Sequence, residues 1–277
     1  MNQELQKTLH NTATNIRLGA LEGVYNASSG HPGGSLSIAE ILAYLYFKEM
    51  HIDPKNPKDP DRDRFVLSKG HCAPALYAAL ALRGYFPTED LKTLRHIDSY
   101  LQGHPDMKHI PGIDMSTGSL GLGISAACGM ALGAKLDNAS WRVYTILGDG
   151  EIEEGQVWEA AMFAAHYRLS NLLAFVDVNG LQIDGATKDV MNSAPLTEKF
   201  AAFGWHVINI AAHSLEAIET ACEEAKTVTD RPTVILAHSV KGKGVSFMEN
   251  AVNWHGAAPK KEQYELAVAE LNQQFWN

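Results

Sequence analysis

At 277 residues, with 45% hydrophobic side chains, the chain can fill one large α/β domain or two small ones and bury a proper core. A formal charge of -9 argues against a polyanion-binding surface, because affinity for nucleic acid rests on Lys and Arg neutralising phosphates. Cys72, Cys128 and Cys222 form neither a CxxC pair nor an even disulfide set, which points to a reducing cytoplasm, and no run of about 18 apolar residues is present to span a membrane.

The first stretch, to about Lys48, reads as two helices. The N-terminal one is amphipathic and polar throughout, unlike a signal peptide. The second has apolar residues at helical spacing from Leu36 to Phe47, and Gly30-His31-Pro32-Gly33-Gly34 breaks the two apart. From His51 to Arg64, Pro54, Pro57 and Pro60 prevent regular structure. Phe65-Val66-Leu67 makes a short strand ending at Ser68-Lys69-Gly70-His71, and Ala73 to Leu82 is helical. Gly103 to Gly123 is a glycine-punctuated loop, and Leu120 to Leu136 carries the small residues of a tightly packed helix.

Beyond this point the alternation is cleaner. Apolar strands are expected over Trp141–Leu147, Leu172–Val178, Gly204–Ile210 and Thr233–Ala237, with helices over Val157–Tyr167 and Leu215–Thr227. Strands apolar on both faces that alternate with helices predict a doubly wound α/β fold, a parallel sheet with helices on both faces. No linker, repeat or low-complexity stretch interrupts it, so residues 1–277 read as one domain.

In such a sheet, ligands sit beyond the carboxyl ends of the strands. Two of these ends carry oxygen donors: Gly148-Asp149-Gly150, and Asp177-Val178-Asn179-Gly180. The Asp149 carboxylate, the Asn179 amide oxygen and the backbone carbonyl near Leu181 are hard donors suited to Mg²⁺ or Ca²⁺. Gly150 lets the backbone approach a diphosphate that a side chain would obstruct. A lone GDG is a common tight turn, so the signal lies in its combination with the later Asn-Gly.

That combination resembles the thiamine-diphosphate-binding motif, and the similarity to transketolases, specifically to the N-terminal half of a split enzyme, extends over almost the whole chain. Gly30-His31-Pro32-Gly33, Ser68-Lys69-Gly70-His71 and Gly103-His104-Pro105 are similar to the family's three substrate-channel histidine segments. Thr117-Gly118-Ser119-Leu120-Gly121 is similar to the segment that holds the aminopyrimidine ring. Ser119 and Leu122 replace the Pro and Gln common there. Lys241, in Lys-Gly-Lys-Gly, and His255, in Trp-His-Gly, match the residues that close over diphosphate and substrate.

The resemblance implies roles. Asp149, Asn179 and the Leu181 carbonyl hold Mg²⁺ or Ca²⁺. Gly150, Asn179, Ile183, Lys241, His71 and His255 surround the diphosphate of thiamine diphosphate, and Gly118, Ser119 and Leu120 meet its pyrimidine. His31, His71, His104 and His255 are the catalytic set, where imidazoles hydrogen-bond sugar hydroxyls and move protons near neutral pH. Glu154, also in the cofactor set, and Glu159 match acidic positions at the subunit interface.

It also implies a partner. In the family, the glutamate that activates the cofactor lies in the following pyrimidine-binding domain, and this chain stops at Asn277. The pyrimidine-binding and C-terminal domains are therefore expected on a C-terminal subunit, two copies of each chain forming an α2β2 heterotetramer. The expected reaction moves a two-carbon ketol unit from a ketose to an aldose, sugars or sugar phosphates. The competing readings are a synthase condensing pyruvate with a sugar phosphate, the α-type chain of a 2-oxo-acid dehydrogenase, and a non-catalytic cofactor-binding partner.

The plainer alternatives apply to the remaining candidates. His10, His51, His96, His109, His166, His206, His213 and His238 read as surface or satisfied core residues, although His238 ends a strand on the site side. Cys72 reads as a small packed side chain, and Lys243 equally well as a second phosphate contact beside Lys241 or as a solvent-exposed turn lysine. Glu151, Glu153 and Glu154 cluster at a helix start, where the macrodipole alone favours acids.

Overall fold

A computed structural model describes residues 1–276. Helix α1 (Gln3–Ala27) is capped by Asn2, whose side chain accepts from the Leu5 N–H at 2.8 Å. Its buried stripe of Leu9, Ala13, Ile16, Ala20 and Val24 follows helical spacing. The second helix expected to follow is broken into α2 (Pro32–Leu36), α3 (Ala39–Tyr44) and a π-turn at Leu45–Glu49. The break falls at Ser37, whose hydroxyl lies against the Gly34 carbonyl and the Asp177 carboxylate at 2.9 and 2.7 Å. Such side-chain bonds offer the backbone an alternative to continuing the helix.

The remaining elements are β1 (Arg64–Leu67), α4 (Ala73–Arg83), α5 (Leu122–Leu136), β2 (Val143–Gly148), α6 (Gly155–His166) and β3 (Leu172–Val178). After them come an antiparallel hairpin, β4 (Leu181–Gln182) with β5 (Gly185–Ala186), and α7 (Thr187–Val190), α8 (Leu196–Ala202), β6 (His206–Ala211), α9 (Leu215–Thr227), β7 (Thr233–His238) and α10 (Lys261–Asn272). The main sheet is entirely parallel, in the order β1-β2-β3-β7-β6. Helix α5 starts at Leu122 rather than Leu120 because Gly121 adopts φ 83°. The strand expected from Gly204 starts, as β6, at His206, because Gly204 closes α8 in a left-handed conformation.

Alternate strand residues feed two cores, as a sheet covered on both faces requires. Tyr144, Ile146, Leu173 and Phe175 pack with α1, α3, α4 and α9, while Val143, Leu147, Ala174 and Val176 pack with α5, α6 and α8. A third cluster of Leu21, Leu36, Val245, Met248, Ala267 and Leu271 ties the segment after β7 and α10 to the N-terminal helices. That cluster fixes where the loop bearing Lys241 lies.

Candidate functional site

The strand ends of β1, β2, β3 and β7 converge on one cavity of about 300 Å³. On one side lie the oxygen donors. Asp149, 4% exposed, accepts from the N–H of Gly150 at 3.0 Å and of Gly180 at 2.5 Å. Asn179 turns its amide oxygen to the Leu181 N–H, 3.1 Å away, and donates through Nδ2 to Asp177 Oδ2 at 2.9 Å. This pairing fixes which amide atom is the acceptor. Burial, reinforced by the neighbouring Asp177, raises the Asp149 carboxyl to about 6.

On the other side lie the nitrogen donors. Lys241, 2% exposed, donates to the Leu181 carbonyl at 2.9 Å and lies 2.8 Å from His255 Nδ1. Burial and the nearby Lys69 charge lower its ammonium to about 8. His31, His71 and His255 form a triangle with ring centroids 5.2, 5.3 and 5.5 Å apart. Burial holds all three below the usual imidazole range: His31 at about 4, helped by Arg95, and His255 at about 3, helped by Lys241, while His71 is further lowered by Lys69. They are therefore neutral near pH 7, each able to donate at one nitrogen and accept at the other. His31 Nδ1 is buried without a protein partner.

Of the other residues expected here, Gly118, Leu120, Gly150 and Ile183 line the same cavity. His104 is exposed and stands further out, where a Cβ at Gly118 would lie 2.9 Å from its ring. Ser119, Glu154 and Glu159 are exposed and do not line the cavity, although Glu154 lies against Gly121. A Cβ at Gly150 would first meet the Gln182 amide, at 2.9 Å, so that glycine accommodates the hairpin as well as any ligand.

Three further acid–base residues of the site lie in segments named above, but the sequence assigns them no role there. Lys69 and Asp177, 1% and 0% exposed, form an ion pair of 2.6 Å beneath the cavity. Burial alone would raise the Asp177 carboxyl, but Lys69 outweighs it and keeps the carboxyl below its ordinary range. Glu151 is 2% exposed and its carboxylate accepts from Ser68 Oγ and from the N–H of Gly121 and Gly148, both at 3.0 Å, clamping three loops together. A tight loop turn followed by an acid, Gly-Asp-Gly-Glu, is the one local hint of Glu151, and helix-start acids usually face solvent.

The donor set has the chemistry to hold a divalent cation. Asp149, Asn179 Oδ1 and the Leu181 carbonyl are hard oxygens with lone pairs to spare, the Asp149 carboxylate takes its hydrogen bonds from backbone N–H groups alone, and Lys241 faces them. Among the described residues no three His, Cys, Asp or Glu side chains gather as metal ligands.

Comparison with known proteins converges on one family. The family model described as "Transketolase, thiamine diphosphate binding domain" matches residues 8–275. The chain is 51% identical to the 6-deoxy-6-sulfo-D-fructose transketolase subunit SqwG of Clostridium sp. (strain MSTE9), covering 98% of each chain. It is 42% identical to an apulose-4-phosphate transketolase subunit of Phocaeicola vulgatus, covering 97% of this chain and 95% of that one. Among solved structures, transketolase from Campylobacter jejuni superposes with a TM-score of 0.90 at 33% identity over 98% of this chain, which spans only 43% of that longer protein. The chain belongs to the transketolase family, as its thiamine-diphosphate-binding domain.

Proposed function

We propose that the chain is the cofactor-diphosphate-binding subunit of a two-chain transketolase, which moves a two-carbon ketol unit from a ketose to an aldose. One observation carries the reading: a single cavity joins the Asp149, Asn179 and Leu181 oxygens to Lys241 and to a triangle of histidines. Asp149, Asn179 and the Leu181 carbonyl would hold Mg²⁺ or Ca²⁺, and Lys241 with Gly150 would face the diphosphate. Thiamine diphosphate, when bound, supplies the electron sink for cleaving a carbon–carbon bond.

The protein's own task is orientation and proton handling. His31, His71 and His255 can hydrogen-bond sugar hydroxyls, and, with burial favouring their neutral forms, each can accept a proton at one nitrogen and release one from the other. The buried Lys69–Asp177 pair is neutral overall and leaves Asp149 as the net charge facing the cation.

Relatives of matching length are named as transketolase subunits, which supports a partner chain carrying the pyrimidine-binding and C-terminal domains and the activating glutamate. Residues 1–277 then form one domain of an α2β2 assembly. The relatives' named substrates carry a sulfonate or a phosphate, which supports a ketose with a terminal anion as the natural donor. Three free, buried cysteines suit a cytoplasmic setting, and no helix among the described residues is long and apolar enough to cross a membrane.

The test is ketol transfer from xylulose 5-phosphate to ribose 5-phosphate, with thiamine diphosphate and Mg²⁺, for the chain alone and mixed with the product of the adjacent reading frame. Turnover only in the mixture is expected. Turnover by the chain alone would overturn the two-chain reading, and a bound cofactor without ketol transfer from any anionic ketose would overturn the activity.

A further inference from the structure

His213 reads from sequence as a surface or core histidine, yet it links the N-terminal helices to the loop that bears Lys241. Its ring lies in the turn between β6 and α9, and the two nitrogens meet different partners. The Val240 N–H donates to Nε2 at 2.9 Å, and Nδ1 lies 3.0 Å from Glu40 Oε2. Because Nε2 accepts, the ring proton belongs on Nδ1 and points at the carboxylate. Glu40 in turn takes both oxygens to the Arg17 guanidinium, at 2.7 and 2.6 Å, and Arg17 Nε donates to the Leu36 carbonyl at 3.1 Å.

Residues 17, 40 and 213 thus come from α1, α3 and the β6–α9 turn and end on one backbone amide, immediately before Lys241. The far side of the loop is held separately. Gly242 N–H donates to the Gly33 carbonyl and Asn250 N–H to the Lys241 carbonyl, both at 2.9 Å. Lys241 therefore leaves a backbone that is anchored on both sides, and its ammonium reaches the cavity with little freedom to lose on binding an anion.

We propose that His213 is a positioning residue for Lys241, fixing the loop through the Val240 amide so that the ammonium faces the cofactor diphosphate. This deepens the function proposed above and rests on its reading of Lys241. His213 touches neither cofactor nor sugar, and its effect passes through Lys241.

A double-mutant cycle tests this, with thiamine diphosphate titrated into the full chain in the presence of Mg²⁺ and affinity read by calorimetry. His213→Ala should weaken binding by about tenfold, the scale of losing a group that orients a ligand-binding residue. Lys241→Ala should weaken it at least as much, and adding His213→Ala to Lys241→Ala should cause no further loss. His213→Gln, which keeps a donor and an acceptor, should recover part of the affinity. Urea unfolding of each variant checks that the fold is intact. Losses that multiply in the double variant would overturn the positioning role while leaving the Lys241 reading standing. An unchanged affinity in Lys241→Ala would overturn both.

Discussion

Asp149 and His31 face the same cavity and should fail in different ways. Asp149 is the carboxylate free to take a cation, because Glu151 is consumed by Ser68, Gly121 and Gly148, Asp177 is paired with Lys69, and Asp184 is exposed at the hairpin turn. Asp149→Ala should therefore lower affinity for thiamine diphosphate with Mg²⁺ on the order of 100-fold or more, since no nearby acid can replace the ligand. His31→Ala leaves every oxygen donor in place, so cofactor affinity should barely change while kcat/KM for the ketose falls on the order of 100-fold, the usual contribution of a proton-handling side chain. Calorimetry and steady-state kinetics on both variants decide the matter. A collapse of cofactor binding in His31→Ala would move that histidine from the sugar side to the diphosphate side.

At the scale of elements, the loops at the strand ends depend on close backbone contacts that no side chain can enter. The first turn of α5 rests directly on the end of β1, and a Cβ at Gly123 would lie 2.6 Å from the Ser68 Cα and Oγ. Ser68 in turn donates to Glu151, so pushing it away would loosen the clamp across three loops. Gly123→Ala should cost about 1–3 kcal/mol by overpacking, measured by urea denaturation, and should also weaken cofactor affinity. A stabilised variant, the ordinary outcome of Gly→Ala in a helix, would show that the helix can shift without strain.

The same scale explains what the sequence revealed. Leu172–Val178 and Leu215–Thr227 are found with the expected bounds, because an apolar run and a helical stripe are local patterns. The β4–β5 hairpin has two residues per strand and shows no period to read. At the site, Gly-Asp-Gly and Asn-Gly mark turns that line the cavity, within a few residues of sequence. The Lys69–Asp177 pair joins positions more than a hundred residues apart, and the buried Glu151 differs from its exposed neighbour Glu154 only through packing that composition does not encode.

Across the whole molecule, the sheet places four strand ends beside each other, while the N-terminal helices and the β6–α9 turn are joined by the buried Arg17–Glu40–His213 network. Burial alone would raise the Glu40 carboxyl, but the Arg17 guanidinium and His213 outweigh it and hold the carboxyl at about 2 against an ordinary value of 4.5. A folded-state value below the unfolded one means the stabilisation is complete above pH 4.5 and is lost as pH falls towards 2. By linkage it amounts to roughly 3 kcal/mol. Glu40→Gln should be strongly destabilised at pH 7, by about 3–5 kcal/mol, because it strands the Arg17 charge in the core. Its deficit relative to the unsubstituted chain should shrink as pH drops from 5 to 3, where the native Glu40 begins to lose the same interaction. Urea midpoints at pH 7, 5 and 3 measure that difference directly. A deficit that stays constant with pH would mean that the network stabilises through packing rather than through the Glu40 charge.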